Sequence, residues 1–498
     1  TPYSSSRLPK ARACIRCKTI WPTDNATMVF ASLEFLILFL PAFMLVYALV
    51  SPGGRNHVLL FGSWFFYGWL SPAFLLLHVL LTVVGWVGGL LVERTREESR
   101  QRIRLLVVLI AINVLVLCWY KYANILAATF NQLITSYGAL PFEWQKVALP
   151  AGLSFIVLQV ISYLVDVHRK VVPVEHRFSN FATYLAMFGH SIAGPIIRYD
   201  WVRKELAQRY FNAQNFALGS RRFMIGLSMK VLVADSLSPL VSVAFAQQSP
   251  SFVDAWIGCL AYSMQLFFDF AGYSAMAIGL GLMLGFHFPE NFNRPYWARN
   301  IQDFWRRWHI SLSSWLRDYL YIGLGGNRFG TWKTYRNLFL IMAIGGLWHG
   351  GDSWNYVLWG AAHGIALCVD RAWTRSGLPD LPAWLAHTVT LLFVCLAWTL
   401  FRSPDFDTAL SMYAGQFGLH EFALGDAMAA TLRPAHGIAA ALGLACLLLP
   451  LYQARAEARF GEVWLFRAVG MIWPVAGFLL SFALIASRET VPFLYFQF

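Results

Sequence analysis

The stretch FFDFAGYSAMAIGLGLMLGFHFPENFNRPYWARNIQDFWRRWHISLSSWLRDYLYIGLGGNRFGTWKTYRNLFLIMAIGGLWHGG, residues 267–351, decides how the chain is read. A charged, amphipathic segment carrying His309 lies between two strongly apolar segments, and the second ends at His349. A chain rich in apolar residues has few places to keep seven basic side chains together. The chemistry is therefore expected within 267–351.

Outward from that stretch the composition is that of a membrane protein. Of 498 residues 58% are hydrophobic and 13% charged, whereas soluble domains average about 45–50% apolar and about 25% charged. The 21 Trp and 40 Phe suit rings that sit at membrane interfaces. Many apolar runs approach the roughly 17–25 residues that cross a bilayer. The expected fold is an all-α polytopic integral membrane protein with about 10–12 transmembrane segments.

The net charge of +13 belongs to cytoplasmic loops facing anionic headgroups and not to a nucleic-acid partner, because no basic soluble domain exists to carry one. Cys14 and Cys17 form a lone C-x-x-C with no second ligand pair, so neither a zinc site nor a disulfide framework is expected. The other five cysteines lie in apolar segments as small buried hydrophobes.

Residues 1–27 carry five basic residues and no apolar run; they are read as a flexible leader or as a start misassigned ahead of Met28. Residues 28–498 then form a single membrane domain with 267–351 as its catalytic core. The Arg cluster at 94–104 places that loop in the cytoplasm, as do the basic residues of 195–222. Separate crossings are expected at 105–120, 179–194, 253–268 and 270–286, among others. The segment 336–349 is too short to span and must be surrounded by protein or a watery cavity. Residues 403–435 read as an extramembrane excursion.

On a helical wheel, residues 304–320 place Phe304, Trp305, Trp308, His309, Leu312 and Trp315 on one half. Arg306, Arg307, Ser311, Ser313, Ser314 and Arg317 fall on the other. Such a helix lies in the interface or enters the membrane shallowly, with His309 directed inward. Residues 299–336 hold seven Arg/Lys against Asp303 and Asp318, a local net of +5. That is either an ordinary cytoplasmic loop or a landing site for a phosphate-bearing donor, formed by Arg306, Arg307 and Arg317.

Most of the twelve histidines fall in loops, but His309, His349 and His363 stand in apolar surroundings. Ionisable residues at membrane depth tend to line functional cavities, while a neutral packed histidine is the competing reading. Glycines 345, 346, 350 and 351 flank His349, admit close neighbours and place it at a helix end. Imidazole there suits general-base work. No G-x-S-x-G and no P-loop occurs, and the glycines of 279–282 read as close helix packing.

The runs FDFAGYSAMAIGLGLMLGF, ENFNRPY, FWRRWHISLSSWLRDYLYIGLGGNR and YRNLFLIMAIGGLWHG resemble the membrane-bound O-acyltransferase (MBOAT) superfamily. The polysaccharide-acetylating branch that includes alginate O-acetylation is the most similar part. MVFASLEFLILFLP and HSIAGPIIRY resemble it too, and the likeness covers about residues 28–369. The resemblance implies helices around a tunnel and acyl transfer from a thioester to a hydroxyl. It matches the family's invariant histidine to His349 and its second, His-or-Asn position to His309; His363 has no matched role. It further implies no permanently bound cofactor, acetyl-CoA or another acetyl thioester as donor, and periplasmic acetyltransferase proteins as partners in the bacterial inner membrane. Alginate is the first choice of polymer and cellulose the second. Alternatives are an acyltransferase for teichoic acid or peptidoglycan, or a transporter or export channel with structural histidines. Against transport stand the lack of internal repeats and the few buried acids expected.

Overall fold

A computed structural model describes residues 28–97, 99–191, 194–460, 463–488 and 493–494. The reading of 1–27, with Cys14 and Cys17, lies outside the described residues. Among those described, every regular element is helical. The first part comprises α1 (Glu34–Leu49), α2 (Arg55–Leu70), α3 (Pro72–Arg94), α4 (Arg100–Ser136) and α5 (Leu153–His168). Three short helices follow, α6 (Phe178–Ala186), α7 (Phe188–Ser191) and α8 (Tyr199–Ala207). The centre comprises α9 (Ala213–Ala246), α10 (Phe252–Leu284), α11 (Ile301–Arg307), α12 (Ile310–Trp315), α13 (Thr331–His349) and α14 (Asn355–Arg375). The last part comprises α15 (Ala383–Arg402), α16 (Phe406–Gln416), α17 (Asp426–Thr431), α18 (Pro434–Phe460) and α19 (Trp464–Ser487).

Six helices among the described residues are long and apolar enough to cross a membrane: α3, α4, α9, α10, α15 and the Gly470–Ser487 part of α19. Their surroundings differ sharply. The most apolar window of α10 is 94% buried, against 22% for α4 and 17% for Gly470–Ser487. An apolar helix covered on all sides is a central post, whereas one left bare needs lipid around it. The protein is a multi-pass membrane protein built around α10.

Glycine sets how closely α9 approaches that post. A Cβ on Gly226 would sit 2.5 Å from the carbonyl oxygen of Gly272, and one on Gly272 would sit 2.7 Å from that of Gly226. Gly219 and Gly279 repeat the arrangement two turns away. With no hydrophobic drive between helices in lipid, such backbone-to-backbone packing supplies the attraction.

The structure corrects three of the expected crossings. The segments 253–268 and 270–286 are one helix, because Asp269 at the supposed junction stays inside it. Lys230 of α9 lies 2.9 Å from Asp269 and 2.5 Å from Asp235, so the buried carboxylate is paired. The segment 105–120 does not end where its charge begins: α4 runs on through Lys121 to Ser136. The segment 179–194 breaks at Met187, after which the Phe188 amide donates to Ser63 Oγ of α2 at 3.1 Å. Buried acids are few among the described residues, as expected: Asp166, Asp254 and Asp269 are each at most 5% exposed.

Candidate active site

His309 is delivered by a break and not by a helix face. The expected helix over 304–320 divides into α11 and α12, joined by Trp308 and His309. His309 takes φ 43° and ψ 56°, the left-handed region that side chains with a Cβ adopt at an energetic cost. The wheel geometry is therefore replaced, although its inward direction for the ring stands: His309 is fully buried. Ser311, assigned to the polar half, is buried too.

Asn291, the second residue of ENFNRPY, holds this break. Its backbone carbonyl accepts the Ile310 amide at 2.9 Å. Its Oδ1 accepts from the Ser311 amide at 3.2 Å and the Ser311 hydroxyl at 2.9 Å, while its Nδ2 donates to Ser274 Oγ at 3.2 Å. His309 Nδ1 lies 3.1 Å from the same Oδ1. A carbonyl oxygen only accepts, so Nδ1 carries the ring proton and Nε2 is the acceptor of the neutral imidazole. Nothing in the local sequence distinguished Asn291; only folding brings it to His309, eighteen positions away.

His349 is the last residue of α13, with Gly350 as the cap, which matches the expected helix end. The flanking glycines admit backbone on two sides. A Cβ on Gly346 would meet Gly360 of α14 at 2.9 Å, and one on Gly351 would meet the Lys121 side chain at 3.0 Å. The imidazole sits in an aromatic shell, 5.0 Å from the Trp348 ring, 5.3 Å from Trp359 and 5.6 Å from Phe401. His309 and His349 face one another with ring centroids 6.4 Å apart, and both are at most 4% exposed.

His363 is packed among the same rings. Trp305 Nε1 donates to its Nδ1 at 3.3 Å, and Trp359 lies 4.9 Å away. Two buried histidines escaped the sequence reading, which left most histidines in loops. His78 packs on Tyr67 at 4.9 Å, and His190 accepts from Gln159 Nε2 at 3.1 Å. Among the described residues no group of three or more His, Cys, Asp or Glu is placed to hold a metal ion.

Two of the three basic candidates, Arg306 and Arg307, end α11, and Arg317 follows α12. Arg306 is exposed on α11. Arg307 pairs with Asp303 at 2.8 Å. Arg317 pairs with Asp318 at 2.7 Å, and Asp318 also pairs with Arg198 at 2.8 Å. Partial burial pushes the Asp318 carboxyl up, but the hydrogen bonds from Arg317 and Arg198 outweigh it and hold the group below its ordinary value. The backbone carbonyl of Asp318 accepts from Arg169, and Lys170 pairs with Glu97 at 2.6 Å. The loops at 95–99, 169–177 and 195–200 therefore share one face with the amphipathic segment.

A buried histidine pair of this kind, one ring fixed in its tautomer and the other at a helix end, is equipped for proton transfer in a water-poor setting. The family model for MBOAT, the membrane-bound O-acyltransferase family, matches residues 103–398. The chain belongs to that family. It is an acyltransferase. The probable alginate O-acetylase AlgI of Pseudomonas aeruginosa is 45% identical over 405 residues, covering 81% of this chain and 78% of that protein. The probable alginate O-acetylase of Pseudomonas putida is 40% identical over 489 residues, covering 95% of this chain and 100% of that one. The peptidoglycan O-acetyltransferase of Helicobacter pylori is 37% identical over 433 residues, with 80% and 81% covered. His309, His349, Asn291 and Lys121 of this acyltransferase all fall within the matched span.

Proposed function

We propose that this acyltransferase moves acetyl groups from a cytoplasmic thioester donor towards acceptors on the outer side of a bacterial inner membrane, for O-acetylation of an exported polysaccharide. Alginate is the first choice of polymer and cellulose the second. The observation that carries the chemistry is the pair His309 and His349, 6.4 Å apart and buried, with the His309 proton fixed on Nδ1 by Asn291. Similarity to probable alginate O-acetylases at 40–45% identity supports acetyl as the group and alginate as the polymer.

In this reading His349 takes the proton from an acceptor hydroxyl as its oxygen attacks the thioester carbonyl carbon. The carbonyl π pair moves to oxygen, then returns as the carbon–sulfur bond breaks, and the thiolate recovers the proton. The products are an ester and a free thiol. His309, held in its acceptor tautomer, orients the acceptor hydroxyl against the donor. The dry aromatic shell keeps water from competing with the acceptor. Acetyl-CoA is the donor we assign, with no permanently bound cofactor. Arg306, Arg307 and Arg317 would receive its phosphates at the basic face. Periplasmic acetyltransferase proteins would complete delivery to the polymer.

The test is made in cells that export an acetylated polymer. His349→Ala should abolish acetyl-ester incorporation, a loss of roughly 100-fold or more for removal of a general base, at an unchanged membrane level of the protein. Parent-level acetylation in that variant would end this reading. The relatives named for peptidoglycan and teichoic acid support one further reading, the same transfer to another envelope polymer. Compositional analysis of the acetylated material separates the two.

A further inference from the structure

A lysine is seldom buried in a membrane-crossing helix without a function. Lys121 lies in the middle of α4, is 4% exposed, and has its ammonium 5.5 Å from the centre of the Trp348 ring. The packing of α4 on the His349 turn fixes it there. Tyr122 OH donates to the Leu347 carbonyl at 2.7 Å, and Gly351 rests against the Lys121 backbone and stem. The Lys121 ammonium and the His349 imidazole both pack on the Trp348 ring, 5.5 Å and 5.0 Å from its centre. The ammonium makes no ion pair or hydrogen bond among the described residues.

A second observation points to a ligand at the same place. Trp348 Nε1 and Trp359 Nε1 are buried beside His349, and neither has a hydrogen-bond partner among the described residues. Buried donors without acceptors destabilise a fold, and they persist where something else uses them. The Lys121 ammonium and two indole N–H donors thus lie around the His349 turn. Acyl transfer needs such donors, because negative charge develops on the carbonyl oxygen as the acceptor attacks.

We propose that Lys121, assisted by the Trp348 indole N–H, binds the carbonyl oxygen of the transferred acyl group and stabilises the oxyanion formed there. This rests on the acyl-transfer reading of His349. In the step the acceptor oxygen bonds to the carbonyl carbon, its proton passes to His349, and the π electron pair moves to the oxygen held by Lys121. That pair re-forms the double bond as the thiolate leaves and takes the proton. Lys121 exchanges no proton in the cycle. It acts through charge and a donated hydrogen bond, and so is a catalytic residue.

The experiment compares the full-length parent with Lys121→Met, Lys121→Arg, Lys121→Ala, Trp348→Phe and His349→Ala, each at matched membrane level, by acetyl-ester incorporation in cells. Lys121→Met should lose roughly 100- to 1000-fold in rate, the range found on deleting an oxyanion donor. Lys121→Arg should keep a measurable part of the parent rate, and methylammonium added to Lys121→Ala should restore part of it. Trp348→Phe, which keeps the ring and removes the donor, should lose less than Lys121→Met but more than twofold. Lys121→Met within twofold of the parent overturns the proposal. So does a loss that neither Lys121→Arg nor methylammonium relieves, because that assigns Lys121 to packing. If Lys121→Met does not reach the membrane, Trp348→Phe decides, and a rate within twofold of the parent rejects the donor pair. An inactive His349→Ala beside an active Lys121→Met removes this inference alone, whereas an active His349→Ala removes the acyl-transfer reading beneath it.

Discussion

His309 stands at φ 43° and pairs through Nδ1 with Asn291, and both facts bear on substitution. Asparagine tolerates the left-handed region better than any other residue with a Cβ, short of the cost a branched or bulky side chain meets. His309→Asn should therefore keep the break between α11 and α12 and retain more acetyl transfer than His309→Ala, measured at equal membrane level. Equal activity of the two variants would deny the backbone a part in the effect. Asn291→Leu removes the acceptor that fixes the tautomer while nearly conserving volume. It should lower transfer roughly tenfold or more, since an imidazole in the wrong tautomer loses its place in proton transfer. At this scale the sequence marked His309 and His349 by their apolar neighbours. It did not mark Asn291 or Lys121, one an ordinary amide in a polar turn and the other a charge that looked like a helix end.

At the scale of elements, α9 and α10 are joined by glycine at the two levels Gly219–Gly279 and Gly226–Gly272. Gly226→Leu places side-chain atoms where the Gly272 carbonyl already sits, so the two helices must part. Overpacking of this kind usually costs about 1–3 kcal/mol, and the partners here are backbone, which yields least. The variant should melt several degrees lower in detergent, by a thermal shift assay against the parent. An unchanged midpoint would show that the contact can open without consequence. The same separation would move Lys230 from Asp269, since each sits one turn beyond the glycine contact on its own helix. Sequence periodicity found these helices by their apolar length. It divided α10 in two and stopped α4 early, because a buried charge inside a helix resembles a boundary until its partner or its site is known.

For the whole molecule, contacts between loops assign sides. Glu97, Lys170, Arg169, Arg198 and Asp318 form one connected face, and Gln302 meets Asp370 on it. Asn355 at the opposite end of α14 donates to the Ser403 carbonyl, so 403–435 begins on the other side from that face. With the Arg-rich 94–104 loop in the cytoplasm, Glu421 should lie outside. A membrane-impermeant thiol reagent applied to spheroplasts should label Glu421→Cys and spare Glu97→Cys, read against the parent's own cysteines. Labelling in the reverse order would invert the topology and with it the direction proposed for acetyl transfer.

Composition and apolar length by themselves determined that this chain is a helical membrane protein. The glycines around His349 determined that this histidine closes a helix. Those properties follow from local solubility and backbone freedom, which every residue carries with it. Only the tertiary structure decided that α11 and α12 break at His309, that Asn291 fixes its proton, that Asp269 stays in the central helix, and that Lys121 reaches the Trp348 face. Each depends on a partner supplied by a distant segment, and burying a polar group is tolerable only where that partner has already been brought alongside.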